Sequence, residues 1–277
     1  MTISPIDTRF MSTEEQYNYA INAMRAEMKA YITEHHLKSL ILGISGGIDS
    51  AFAAALLRPV CDITDTKLIG RSITIETNKA DEIERANAIG NAFCHDFQYL
   101  DHTDIYLQYK QLMPALDTQT LSKLRMGNAK ARFRMICLYD LAQMNKGIVI
   151  STDNFTEYLT GFWTLHGDVG DYAPFIRLWK TEVYRCSELL CKTLPSIQSN
   201  ALMQCIKAVP TDGLGISGSD LEQLGADNYQ EVDIILAKFL EGDTSQKEHP
   251  VIKRYLSSEY KRLNPLSIPR KTLYLDK

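Results

Sequence analysis

Apolar positions along this chain follow two periods. Behind the capping-box pattern of Ser12 to Glu15, residues Tyr17, Ala20, Ile21, Met24, Met28, Tyr31 and Ile32 return at the spacing of one helix face. Four short apolar runs read as strands: SLILGI (39–44), KLIGRSITI (67–75), FQYL (97–100) and GIVIS (147–151). Helical patterns lie between them: AFAAALL (51–57), closed by Arg58-Pro59, then residues 79–93. A long stretch from about Thr103 to Met144 follows, interrupted near Pro114 and again at Gly127-Asn128. Strands alternating with helices predict an α/β fold, an open doubly wound parallel sheet with helices on both faces. After Ser151 helix and loop dominate. No repeat, low-complexity tract or Pro/Ser linker divides the chain, so residues 1–277 are expected to form a single domain.

Composition narrows the class. The chain is 45% hydrophobic and 23% charged, ordinary for a globular protein, and its net charge of -4 does not favour nucleic acid as a partner. No apolar run approaches the ~20 residues that a membrane helix needs. The segment MTISPIDTRFMSTEEQ lacks the basic start and apolar stretch of a signal peptide. Six cysteines form no CxxC and sit mostly among apolar residues, as buried reduced thiols do. Six histidines show neither HExxH nor zinc spacing. A cytoplasmic protein without structural metal or membrane partner is the expectation.

The candidate chemistry begins at SLILGI–SGGIDS–AFAAALL, which is strand, glycine loop, helix. Unpaired N–H groups at such a helix start make an anion site, aided by the helix dipole. Gly46 and Gly47 would let the backbone approach an oxyanion, and Ser45 and Ser50 would add hydroxyls. The Gly-Lys-Ser/Thr of a Walker A loop is missing, and Asp49 stands where a phosphate site would want a cation. A carboxylate suits that place if it meets the phosphates through Mg²⁺.

SGGIDS resembles the SGGxDS loop of the N-type ATP pyrophosphatases, which split ATP between its α and β phosphates. Three further segments resemble those of NAD synthetases within that group, in the same order: GNAKARFRM (127–135), STDNFTEYLTGFWTLHGD (151–168), and Pro210-Thr211-Asp212 followed by SDLEQLG and YQEVD. The resemblance implies the adenine nucleotide alpha hydrolase-like fold. It also implies a ligase that amidates deamido-NAD with ammonia, consuming ATP through an adenylate and releasing AMP and pyrophosphate, with no covalent enzyme nucleophile. The alternative is an ATP pyrophosphatase of the same type that amidates a different carboxylate.

Carried over by resemblance, ATP would be held by Gly43, Ile44, Ser45, Gly46, Gly47, Ile48, Asp49, Ser50, Thr152, Lys180 and Thr211. Asp49 and Glu157 would hold Mg²⁺. Arg132, Asp171, Tyr260 and Lys261 would contact deamido-NAD. A homodimer is implied, and ammonia is expected from solution or a separate partner, because the family-like region leaves no room for a glutaminase domain. The chain departs from the family pattern at Asn154, Leu165 and Tyr260, where the family often has His, Lys and His. Ile73 stands at the place of an expected arginine, with Arg71 earlier on the strand. Trp163 and Trp179 read as packing residues. GLGISG (213–218) spells GxGxxG but follows AVPTD, which is no strand, so a mobile lid is expected there rather than a dinucleotide site.

Overall fold

The structure is a computed structural model that describes residues 7–76, 78–113, 120–210 and 219–273. Helix α1 (Glu14–Glu34) leads into strand β1 (Ser39–Gly43), helix α2 (Ile48–Thr64), β2 (Lys67–Thr74), α3 (Ala80–Phe93) and β3 (Asp96–Asp101). Helices α4 (Thr103–Leu112) and α5 (Thr120–Met144) precede β4 (Gly147–Val149). Helices α6 (Phe155–Thr160), α7 (Lys180–Cys191), α8 (Ser196–Lys207), α9 (Asp220–Leu224), α10 (Tyr229–Leu240), α11 (Pro250–Ser257) and α12 (Glu259–Arg262) complete the order.

The strands pair in parallel in the order β3-β2-β1-β4. Successive side chains of a strand point to opposite faces. Leu40 and Leu42 therefore join one core with Phe52 and Leu56 of α2, while Ile41 joins Ile69, Val149 and the α5 residues Met135 and Leu138 on the other face. Two buried faces explain why the strands read as unbroken apolar runs rather than alternating ones. The chain leaves β1 toward β2 on one side, and later returns to the other side of β1 as β4. That reversal opens a crevice at the carboxyl ends of β1 and β4, the place where open α/β sheets hold ligands.

A third apolar cluster packs α6, α10 and α11 around Phe155, Leu159, Val232, Leu236, Val251 and Ile252. Trp179 belongs to it, stacked on Phe10 with ring centroids 5.1 Å apart, so it is the packing residue expected from sequence.

Local boundaries differ from the sequence expectation in instructive ways. The first capping box is Thr13 with Gln16, one residue later than Ser12 with Glu15, because the Gln16 side chain reaches back to Ser12 and Thr13 N–H groups. Helix α5 continues through Gly127-Asn128, where Asn128 Oδ1 accepts the Thr164 hydroxyl at 2.8 Å instead of competing for the helix backbone. Helix α2 runs past Pro59 to Thr64. Proline has no N–H for the carbonyl four residues earlier, which here is Ala55. The Arg25 guanidinium of α1 supplies replacement donors, Nη2 to Ala55 O at 3.4 Å and Nε to Leu56 O at 3.1 Å. An interhelical cap thus carries the helix across its proline.

Arg25→Met should leave those carbonyls without charged donors and cost about 1–2 kcal/mol. Urea unfolding should show the midpoint fall with an unchanged slope; an unaltered midpoint would remove the cap from the account.

Candidate active site

The glycine loop after β1 is held by its own serines. Ser50 Oγ accepts the Ser45 N–H at 3.2 Å and donates to Gly47 O at 3.1 Å, and Ser45 Oγ accepts the Gly47 N–H at 3.2 Å. The Ser50 hydroxyl is buried and committed to the loop, so it shapes the turn rather than standing ready for an anion. Gly46 is needed for a reason that sequence did not reveal. Its φ is +84°, and a Cβ there would lie 2.3 Å from Glu82 O of α3. Its close neighbour is a helix backbone, to which it is further tied by Arg85 Nε donating to Gly46 O at 3.1 Å. Gly47 is exposed at the N-cap of α2.

Asp49 lies in the first turn of α2, and its carboxylate is the junction of the site. Oδ1 accepts Asn154 Nδ2 at 2.9 Å, and Oδ2 accepts the Lys180 ammonium. The same ammonium donates to Glu157 Oε1 at 3.0 Å. Three helix starts converge here. Asn154 N-caps α6 by accepting the Glu157 N–H at 3.1 Å, with the Glu157 carboxylate returning to the Asn154 N–H. Lys180 is the first residue of α7, where a cation opposes the helix dipole, and the two carboxylates are what make that position tolerable. The Lys180 side chain is 3% exposed; burial disfavours its charge, yet Asp49 and Glu157 hold its pKa well above the usual value. Burial and the Asp49 charge push Glu157 upward as well, out of the ordinary carboxylate range.

Two carboxylates not singled out from sequence join this group. Asp153 accepts the Ser151 hydroxyl at 2.7 Å, and burial followed by the Asp168 charge pushes its pKa up to about 8. Asp168 accepts the Thr164 N–H at 2.8 Å, and burial raises it to about 7. Their only signal in the sequence was membership of STDNFTEYLTGFWTLHGD, where each looked like one more acidic residue.

A cavity of about 530 Å³ opens over the crevice. Of the sequence-chosen residues, Gly43, Ile44, Ser45, Asp49, Ser50, Arg132, Thr152, Glu157, Tyr260 and Lys261 line it. Lys180 sits just beneath, behind the Asp49 and Glu157 carboxylates, and Gly46, Gly47 and Ile48 stay outside the lining. Asp171 does not reach it. Its carboxylate accepts the Val149 N–H at 2.9 Å, serving the end of β4 instead. Thr211 and the GLGISG segment lie outside the described residues.

Arg132 Nε and Nη2 both donate to Leu165 O, at 3.2 and 3.1 Å. Lys261 Nζ donates to Gly161 O at 2.7 Å and to Trp163 O. Trp163 is the exception to the packing expectation: it lines this cavity and a neighbouring one of about 780 Å³, with the Lys261 ammonium 5.4 Å from its ring centre. Arg71, early on β2, also lines the first cavity, held by Asp96 at 3.1 Å. Ile73 offers only its carbonyl, to Arg134 Nε at 2.9 Å.

Among the described residues no three His, Cys, Asp or Glu side chains are grouped to hold a metal ion, and no helix is long and apolar enough to cross a membrane. The cysteines are free, and burial pushes the thiols of Cys61, Cys186 and Cys205 up to about 12.

Comparison with known proteins agrees with this geometry. The family model for NAD synthase matches residues 20–265. The NH(3)-dependent NAD(+) synthetase of Methanococcoides burtonii is 30% identical over 241 residues, covering 83% of this chain and 86% of the relative. That of Mycoplasma pneumoniae is 29% identical, covering 91% of this chain and 95% of the relative. Among solved structures, an NMN synthetase from Francisella tularensis superposes with a TM-score of 0.72 at 25% identity, covering 94% of this chain and all of that one. An NH3-dependent NAD synthetase from Campylobacter jejuni, solved with nitrate, superposes with a TM-score of 0.68 at 19% identity, covering 91% of this chain and 99% of that one.

The raised carboxyl groups predict a pH dependence. Asp168 has a folded pKa of about 7 against an ordinary value of 3.8, so the folded state binds the extra proton. Its stabilising contribution is complete below the unfolded pKa and is lost as pH rises toward and through 7. In buffer free of metal and nucleotide, the melting temperature of wild type relative to Asp168→Asn should therefore fall as pH is raised from 4 to 8. A difference that stays flat would show that Asp168 ionises normally.

Proposed function

The chain belongs to the NAD synthase family, and we propose on that footing that it makes NAD by amidating deamido-NAD with ammonia and ATP. The observation that carries this reading is the meeting of Asp49, Glu157 and Lys180 at the switch-point crevice, beside the glycine loop. ATP would place its phosphates along Gly43 to Ser50, with Thr152 beside them and Thr211 as a further contact. Asp49 and Glu157 present two hard oxygen donors to one point that already accommodates a cation, and so they fit Mg²⁺, which takes one or two carboxylates together with phosphate oxygens. Bound there, Mg²⁺ would neutralise charge on the departing pyrophosphate. Lys180 adds a second positive charge under the same phosphates.

In the first step a carboxylate oxygen of deamido-NAD attacks the α-phosphorus of ATP, and the bond to pyrophosphate breaks. In the second step the nitrogen of ammonia attacks the activated carbonyl carbon, and the bond to AMP breaks. Ammonium must lose a proton before it can attack, and the amine loses another afterwards. Asp153 and Asp168 line the cavity with pKa values near neutrality, suited to taking those protons. The chain's contribution is otherwise positioning and charge, as is usual for transfer at phosphorus. Arg132, Tyr260 and Lys261 would receive the acceptor, with Asp171 supporting the sheet end rather than touching it. A homodimer is supported by exposed apolar side chains on α4 and α5, Leu112, Ile136 and Tyr139, of which Ile136 and Tyr139 also line the second cavity.

A second reading has its own support: the acceptor is nicotinate mononucleotide. The Francisella protein is called an NMN synthetase, and this chain differs from the family pattern at Leu165 and Tyr260, both in the lining of the cavity.

Incubation with ATP, Mg²⁺, ammonium and equal concentrations of deamido-NAD and nicotinate mononucleotide should yield AMP with NAD as the main amidated product. A predominance of NMN would establish the second reading. Asp49→Asn should lose AMP formation by at least about 100-fold, on the scale of removing a group that stabilises transition-state charge. Its circular dichroism should stay that of wild type. Full activity in that variant would remove Asp49 from the site.

A further inference from the structure

Beside Arg71 and Arg134, three more cationic side chains line the cavity: Arg132, Arg254 and Lys261. Two have their donors engaged with backbone carbonyls, Arg132 with Leu165 O and Lys261 with Gly161 O and Trp163 O. Arg254 does not follow them. It projects from α11 and lies over the Phe162 ring at 4.6 Å. Its Nε is buried with no hydrogen-bond partner. Leaving a buried donor on a charged group unmatched is costly, by about 1–3 kcal/mol or more. Stacking on an aromatic ring fixes the plane of a guanidinium and leaves its edge for in-plane donors. An arginine that lines a cavity, stacked on a ring and with its Nε unmatched, carries the planar fork that binds oxyanions.

The surrounding charge agrees. Arg254 and Arg132 both depress the Lys261 pKa after burial, so the three cations share one field. Asp220 offsets part of the Arg254 charge, while burial lowers its pKa. Both substrates carry phosphates, and the carboxylate cluster at Asp49, Asp153, Glu157 and Asp168 would repel them if no compensating cation lined the same cavity.

We infer that Arg254 is a substrate-binding residue that grips a phosphate group, working with Lys261 in the lining of the same cavity. This rests on the proposed NAD synthase activity for the identity of the substrates. The phosphate belongs either to the acceptor nucleotide or to ATP, and both sources present the same tetrahedral oxyanion.

The test uses Arg254→Met, which keeps the aliphatic stem on Phe162, and Arg254→Lys, which keeps the charge without the planar fork. Steady-state kinetics with ATP, Mg²⁺, ammonium and deamido-NAD should show KM for one substrate rising about 10- to 100-fold in Arg254→Met, with kcat within about twofold. Arg254→Lys should recover part of the loss. A rise confined to deamido-NAD assigns the phosphate to the acceptor, and a rise confined to ATP assigns it to the nucleotide. Calorimetric titration of the whole protein with inorganic pyrophosphate should show weaker binding in Arg254→Met at an unchanged melting temperature. If both KM values and pyrophosphate affinity stay within about twofold of wild type, the inference fails. A lowered melting temperature in Arg254→Met with normal constants in Arg254→Lys would likewise make Arg254 a packing residue and overturn it. If wild type forms no NAD, the proposed activity fails on its own, and the pyrophosphate titration still decides the role of Arg254.

Discussion

The ammonium of Lys180 between Asp49 and Glu157 is the constraint on which the functional half of the molecule depends. Each partner begins a different helix, so one buried cation fixes where α2, α6 and α7 start relative to one another. Removing Lys180 would leave two buried carboxylates without their counterpart, which is the expensive way to break such a group, whereas losing one carboxylate leaves the ammonium paired with the other. Asn154 extends the junction by bonding Asp49 while capping the helix that carries Glu157. At the position where the family often has histidine, this asparagine performs a cap and a carboxylate contact together.

Around that junction the site carries more acid than base. Asp153 and Asp168 are raised toward neutrality because burial strips them of water and each stands near other carboxylates. A group of acids that cannot all ionise at neutral pH is receptive to cations and to protons. The reaction brings both, a metal-bound triphosphate and an ammonium ion. Arg132, Arg254 and Lys261 line the same cavity, and Lys261 lies within the field of Asp153 and Asp168. The cavity therefore holds both signs of charge, which suits a substrate having an anionic backbone and a single reacting carboxylate.

Sequence alone made the architecture legible because its signals are local. Unbroken apolar runs revealed strands buried on both faces, and SGGIDS marked the turn between strand and helix. Strand order was not legible: whether β4 joins beside β1 or beside β3 depends on packing among residues more than a hundred positions apart. Pro59 ended a helix on paper because the Arg25 cap comes from another helix. Gly127-Asn128 broke α5 on paper because Thr164, which occupies the Asn128 side chain, is remote in sequence. Within the site, Asp49 and Glu157 could be named from short segments. Asp153 and Asp168 could not be separated from surface acids, since their distinction is burial. Asp171 was expected on the acceptor by resemblance alone, whereas its carboxylate bonds a strand end.

That strand end has a bearing on how the molecule behaves at high concentration. The sheet is open, and an open sheet offers unpaired backbone groups along its outer strands to any passing chain. On one border β4 is three residues long, and Asp171 covers its last N–H with a carboxylate while the 171–172 backbone takes up the Val149 carbonyl. On the other, β3 carries Asp96 and Asp101 at its two ends, with Gln98 and Tyr99 exposed between them. A foreign strand approaching either border meets negative charge or an occupied bond. With a short strand and occupied bonds on one border and an aspartate at each end of the other, the sheet resists edge-to-edge pairing between copies of the chain.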